Sequence, residues 1–442
     1  MYNRHSSDSS KKSIRNIKIA VLSDEPLGWG SGKKYFPAIL DGYNWNAKNN
    51  LYQFKTSYIS DKDILKGKLN TQTYDVLLVP GGGVGDGEAV IRGFNSSRKV
   101  RIWKKNIVNF IKDGGGYVGI CGGAALITEL NTGSNNKTIS FIEKQYKKSS
   151  LDVSCIKSYY QRIALPIFFP FQMNYPEKIG AIAYVFSFAP GETVDGIRFF
   201  SAGVPIDFQI NKENPIFSDF SKNTERIRWW GGPALIVPEK PNREVKVLAR
   251  YPKIELSEDE TTRIFAWRYS GGIHGLLFSL YKAAKLIKEN NESLRNLLIY
   301  AYYLAGDWKP TQKLIELNFS NKPSMTSEIY PNENQGRIML CTAHPEYMIW
   351  WNGKIEKVDK SDFNCIAKGF HQWKNVSKLS KNAFDEFTHT WWIVRRMTAW
   401  AAKVPDDHMP PITRGQITDL GKDILKKEIF WNGTLLHQMK DI

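Results

Sequence analysis

The chain has 442 residues, of which 42% are hydrophobic, 24% charged and 13% aromatic, and its formal charge is +17. A chain of that composition buries enough apolar surface to offset its ordering entropy, which excludes an intrinsically disordered, collagenous or disulfide-scaffold protein. The positive charge is spread along the sequence in short pairs such as Lys104-Lys105 and Arg395-Arg396, which predicts a solvated, lysine-rich surface and no specific nucleic-acid partner.

Residues 1–16 are polar and basic and read as a disordered tail. Residues 17–22 (IKIAVL) form a compact apolar run, expected as a first buried strand. The Gly-rich turn after it misses the phosphate-loop spacing, because Leu27 stands where a glycine is needed five residues before Gly32. Residues 33–44 are expected as helix, 52–59 as strand, and 61–69 as a short helix capped by Ser60 or Asp61. The run YDVLLV at 74–79 closes on Pro80-Gly81-Gly82-Gly83. A helix is then expected over 98–113, and a third apolar run over 117–120 leads into Cys121. Apolar runs separated by helices spell an α/β fold, a doubly wound parallel sheet covered on both faces.

The pattern loosens from 131 to 180, and strand-like pieces return at 181–189, 196–200, 234–237, 245–251 and 337–341. Residues 275–305 have the period of an inserted helical hairpin, and helices are expected again at 383–402 and 417–431. The organisation this predicts is the tail, an α/β domain over 17–351 with insertions near 131–180 and 255–330, and a helical appendage over 352–442. Trp391, Trp392 and Trp400, at helical spacing, predict a face packed on the α/β domain or on a partner subunit, a second copy included. No run reaches 18 apolar residues without charges or breakers, and the four cysteines contain no CxxC pair. The expectation is a cytoplasmic protein with reduced thiols, no membrane contact, no metal and no cofactor.

Gly119-Ile120-Cys121-Gly122-Gly123 has the form G-x-nucleophile-x-G. A sharp strand-to-helix turn leaves no room for side chains two positions either side of the nucleophile, and the following helix would favour a thiolate. Taken alone, a buried cysteine among small packing residues fits that stretch equally well. Thr342-Ala343-His344-Pro345-Glu346 adds a partner: the residue before proline is extended, and residues two apart in extended chain face one side. Glu346 can then orient the His344 ring while the imidazole takes a proton from Cys121. Backbone amides of Gly82 and Gly122 are candidates for an oxyanion hole. His274, His371, His389 and His408 show no metal-ligand spacing.

Together these motifs resemble the class I glutamine amidotransferase-like superfamily. More narrowly, VPGGG at 79–83, GGYVGICGGAA at 115–125, WWGGPALIV at 229–237 and GRIMLCTAHPE at 336–346 resemble the domain at the N-terminus of eukaryotic-type biotin-protein ligases. The resemblance covers about 17–130 and 181–351. It implies a flavodoxin-like sheet, Cys121, His344 and Glu346 as a triad, and a pocket about Gly81, Gly83, Gly123, Trp230, Gly231 and Gly232. Two positions depart from the wider superfamily: Ala125 stands where glutaminases usually have Gln, and Gly122 where protease relatives have His. The expected activity is that of a cysteine-dependent amidase or amidotransferase-like hydrolase acting on a small carboxamide or related acyl substrate. The alternative is a catalytically silent module that binds a small molecule or serves as a scaffold.

Overall fold

The computed structural model describes residues 13–23, 32–81, 98–131, 150–151, 153–159, 193–194, 197–198, 204–229, 232–253, 264–269, 272–289, 297, 306–311, 320–332, 335–346, 388–413 and 418–419. The expected strand at 181–189, all but 418–419 of the helix expected at 417–431, most of the loop 131–180, and Gly82, Gly83, Trp230, Gly231 and His371 lie outside those residues.

Strand β1 (Ser13–Leu22) begins four residues before the expected run, so the end of the basic stretch is strand; Ser13 aligns with Asn50 of its neighbour. Helix α1 (Gly32–Leu40) follows, then a hairpin of β2 (Asn44–Ala47) and β3 (Asn50–Ile59). Helix α2 (Asp61–Leu65) starts on a reciprocal cap in which Ser60 Oγ accepts from Asp63 N–H at 3.1 Å and Ser60 N–H donates to Asp63 Oδ2 at 3.2 Å. The core then gains β4 (Val76–Val79), α3 (Arg98–Lys112), β5 (Gly116–Ile120) and the short α4 (Gly122–Ile127).

Beyond α4 come short strands β6 (Glu129–Asn131), β7 (Lys157–Tyr159), β8 (Thr193–Val194) and β9 (Ile197–Arg198). They are followed by β10 (Val204–Ile210), β11 (Thr224–Trp229), β12 (Ala234–Ile236) and β13 (Val245–Arg250). An antiparallel pair, β14 (Ile264–Tyr269) with β15 (Gly306–Thr311), brackets helix α5 (Gly272–Glu289), the described part of the expected insertion. The chain returns through β16 (Pro323–Tyr330) and β17 (Gly336–Cys341) and ends its described part near α6 (Trp391–Ala401).

Ten strands form the main sheet in the order β11-β10-β13-β16-β17-β5-β4-β1-β3-β2. Its centre, β3-β1-β4-β5-β17, is parallel throughout, and counted along the chain these five strands run 2-1-3-4-5. The sheet is nevertheless mixed, where the sequence predicts a parallel one: β16, β13, β10 and β11 extend it antiparallel beyond β17, and β2 does so beyond β3. The middle strands β4 and β5 are continuous apolar runs because both faces are covered; all four residues of β4 and all five of β5 are buried. One face carries Ala20, Leu22, Leu77, Val79, Tyr117 and Leu340 into a cluster with Trp103, Ile107, Phe110 and Ile111 of α3 and Leu126 of α4. The opposite face packs on α1 and α6.

Helix α6 lies within the helix expected over 383–402, and of the two packings expected for its tryptophan face, the α/β domain or a partner subunit, it takes the first. All eleven of its residues are buried, and it lies across β4, β5 and β17 and against α1. Its two arginines are accommodated inside. Arg395 sits 3.9 Å over the Tyr43 ring and donates to the Ile39 carbonyl at 3.2 Å. Arg396 pairs through both terminal nitrogens with Asp219 and donates from Nε to the Pro410 carbonyl at 2.7 Å. The last carbonyls of α6 are met by arginines from the sheet, Arg337 on Trp400 at 3.0 Å and Arg15 on Ala402 at 2.7 Å, the favourable sign at a helix C-terminus. No helix among the described residues is long and apolar enough to cross a membrane.

Candidate active site

Cys121 stands between the end of β5 and the start of α4 with φ 48° and ψ −107°. A non-glycine residue held there stores roughly 1–3 kcal/mol of backbone strain. Hydrogen bonds impose it: the Cys121 amide donates to the Cys341 carbonyl at 2.7 Å, and its own carbonyl accepts from Ala124 and Ala125 at 3.0 and 3.1 Å. The flanking glycines are required by space. A Cβ on Gly119 would lie 2.6 Å from the Gly123 carbonyl oxygen, and one on Gly123 would lie 2.1 Å from that of Val79. Strain of this kind is released by glycine, so Cys121→Gly is expected to be more stable than Cys121→Ala by about 1 kcal/mol in urea unfolding. Equal midpoints for the two variants would contradict the strain.

His344 and Glu346 follow β17, the strand paired parallel with β5. His344 Nδ1 lies 2.7 Å from Glu346 Oε1, and the two residues are 2% and 0% exposed. Donation of Nδ1–H to the carboxylate fixes the tautomer whose Nε2 bears the lone pair. Gly81, just past β4, marks the meeting point: a Cβ built there would be 2.5 Å from Cys121 Cβ and 2.8 Å from His344 Cε1. The Cys121 Cβ and the His344 imidazole thus face one small space at the carboxyl ends of three adjacent parallel strands, where open α/β sheets place their ligands. The amides of Gly122 and Gly123 head α4, ahead of the first bonds to the Cys121 carbonyl.

Gly232 backs the strand end that carries His344, with a built Cβ only 1.9 Å from the Thr342 carbonyl oxygen. Trp229 Nε1–H donates to the Gly232 carbonyl at 3.0 Å. Tyr251, which no local pattern in the sequence singles out, joins these pieces: its hydroxyl donates to the Pro233 carbonyl at 2.9 Å and lies 2.9 Å from Thr342 Oγ1. Burial pushes the Tyr251 phenol up, so it stays a neutral donor beside the thiol. Of the expected pocket, Gly81, Gly123 and Gly232 are placed here, while Gly83, Trp230 and Gly231, like Gly82 of the expected oxyanion hole, lie outside the described residues.

The other described histidines are elsewhere: His274 is exposed on α5, His389 lies 3.1 Å from Glu225 Oε1, and His408 Nδ1 lies 2.6 Å from the Tyr52 hydroxyl. Among the described residues no group of three His, Cys, Asp or Glu side chains is placed to hold a metal ion.

Two further thiols serve as internal controls. Cys341 is buried beneath the site and burial pushes its thiol up. Cys155 is pushed up to about 12, first by burial and then by the adjacent Glu328 carboxylate, whose Oε2 lies 3.3 Å from the sulfur. Both are expected to resist iodoacetamide up to pH 9 in the folded protein and to label once it is unfolded in guanidinium. In the folded state these thiols keep protons that the unfolded chain releases near pH 8.5. Their contribution to stability is accordingly lost as pH climbs from there toward about 12 for Cys155.

No protein family matches this sequence, and no curated protein matches it. Among solved structures, one chain of "Structure of PurLQS from Thermotoga maritima" aligns at 11% identity over 82% of this chain and 100% of its own, with a TM-score of 0.29. A likeness that slight carries no argument about fold or chemistry, which rest on the geometry above.

Proposed function

We propose that this protein is a cysteine-dependent hydrolase of the amidase or amidotransferase type, acting on a carboxamide or related acyl carbon of a small molecule. The observation that carries the reading is the strained Cys121 at a strand-to-helix turn, sharing one small space with the carboxylate-bound imidazole of His344. In the reaction His344 Nε2 takes the thiol proton and the Cys121 sulfur attacks the acyl carbon. The oxyanion that forms is met by the Gly122 amide. Collapse of the intermediate breaks the C–N bond as the imidazolium returns the proton to the leaving amine, and water then cleaves the thioester with His344 again as base. Glu346 keeps the imidazole oriented and stabilises its charged form.

Membership in the class I glutamine amidotransferase-like superfamily, near the biotin-protein ligase N-terminal type, and the flavodoxin-like form of the fold belong to the same reading. The 2-1-3-4-5 order of the parallel strands supports them. The test is ammonia release from a panel of small carboxamides by the wild type and by Cys121→Ser, with acyl-enzyme trapped by mass spectrometry. Turnover that survives Cys121→Ser would refute the assignment.

A second reading, a silent small-molecule binder or scaffold, is favoured by Ala125: it is 1% exposed and offers no side-chain amide to a substrate glutamine. A ligand that raises the melting temperature of both wild type and Cys121→Ser yet is recovered unchanged would select it.

A further inference from the structure

The turn that presents His344 and Glu346 has an internal weakness. Pro345, between them, lacks an N–H, so the turn cannot be pinned through its central amide. It is held by its carbonyls instead. Thr390 Oγ1 donates to the Pro345 carbonyl at 2.7 Å, and Trp391 Nε1–H donates to the Glu346 carbonyl at 3.0 Å. Both donors are buried, at 0% and 1% exposure, so water does not compete for either carbonyl. They sit at the start of α6, whose body crosses β4, β5 and β17, the strands that end at Gly81, Cys121 and the His344 turn. The residue before them is anchored separately: His389 Nε2 lies 3.2 Å from the Arg226 carbonyl oxygen and 3.1 Å from Glu225 Oε1.

We infer that Thr390 and Trp391 are positioning residues for the imidazole: α6 lies on the strand bearing the thiol and grips the turn bearing the base, and so sets the separation between them. The inference rests on the hydrolase reading of Cys121 and His344. Neither residue touches the reacting atoms; they act on the turn. The ionisable groups around the thiol and the ring include Glu346, Tyr251 and Cys341, and none of these is replaced in the Thr390 or Trp391 variants.

The experiment is the pH profile of Cys121 alkylation by iodoacetamide, followed by peptide mapping on the full chain. Thr390→Val keeps the shape and removes the donor, Thr390→Ser restores a hydroxyl, and Trp391→Phe removes the indole N–H. With the turn released, the rise of the profile should move to higher pH by about half a unit in Thr390→Val and Trp391→Phe, which is about threefold slower labelling at pH values on the rising limb. Thr390→Ser should follow the wild type, and Thr390→Val added to His344→Ala should change nothing further. Should Trp391→Phe fail to fold, the Thr390 pair decides alone. The inference is overturned if Thr390→Val overlays the wild type, or if it slows labelling as much in the His344→Ala background. A wild-type profile identical to that of His344→Ala would instead remove the hydrolase reading, and this inference with it.

Discussion

Replacing His344 with alanine is expected to slow the alkylation of Cys121 by iodoacetamide about tenfold at pH 7. An unassisted thiol titrates near 8.5 and is only a few per cent ionised there, so full ionisation by a neighbouring imidazolium multiplies the thiolate about thirtyfold. Lower basicity also lowers intrinsic nucleophilicity, which takes back part of that gain and leaves about an order of magnitude. Glu346→Gln should give a smaller loss in the same direction, since it keeps the side-chain volume but removes the charge that stabilises the imidazolium 2.7 Å away. Time-resolved labelling with peptide mapping reports all four thiols together. Equal rates for Cys121, Cys155 and Cys341 in the folded wild type would show that His344 does not activate the thiol.

The second large effect concerns α6. Trp392 is 1% exposed, packs edge-on against Phe217 at 5.6 Å and tilted against Phe220 at 5.2 Å, and has the Arg396 guanidinium 5.6 Å from its ring centre. Trp392→Ala should cost about 3–5 kcal/mol, as lost burial and an uncollapsed cavity add together. Against a whole-domain stability of about 5–15 kcal/mol that is a substantial part. Urea unfolding should show a lower midpoint with an unchanged slope, and Trp392→Phe should recover most of the loss. Ending the chain at residue 387 is a harsher form of the test. Stripping one face of the sheet should abolish the cooperative transition, whereas a true appendage could be removed with the transition intact.

The parts of this protein legible in its sequence are those whose cause is local. The central strands β4 and β5 and the end of β1 are continuous apolar runs because both of their faces are covered, and the space requirement at Gly119 arises within five residues, against Gly123. The proximity of His344 and Glu346 follows from two-residue spacing about a proline. In the antiparallel half of the sheet β13 is legible at 245–251, whereas β16 and β11 are not, because they bury polar side chains. β16 reads PSMTSEIY, yet Ser324, Thr326, Ser327 and Glu328 are all 5% exposed or less. β11 buries Glu225, which meets His389 from 164 residues further along the chain. In α6 the tryptophan face is legible from its helical spacing, but Arg395-Arg396 reads as surface until Tyr43 and Asp219, far away in sequence, are brought beside it. Partners supplied by distant chain leave no trace in local periodicity.

The segment that carries α6 also reaches both margins of the ten-stranded sheet. His389 bonds a carbonyl of the outermost strand β11, while at the other margin Trp45 of β2 donates its indole N–H to the His408 carbonyl at 2.8 Å. Unpaired strand edges invite further strands from other molecules. Detachment of this one segment would bare a face and loosen the guard on both edges in a single event, so partial unfolding here leads toward self-association. The cover over the sheet's face and edges and the seating of the His344 turn are thereby tied to the same twenty residues of chain.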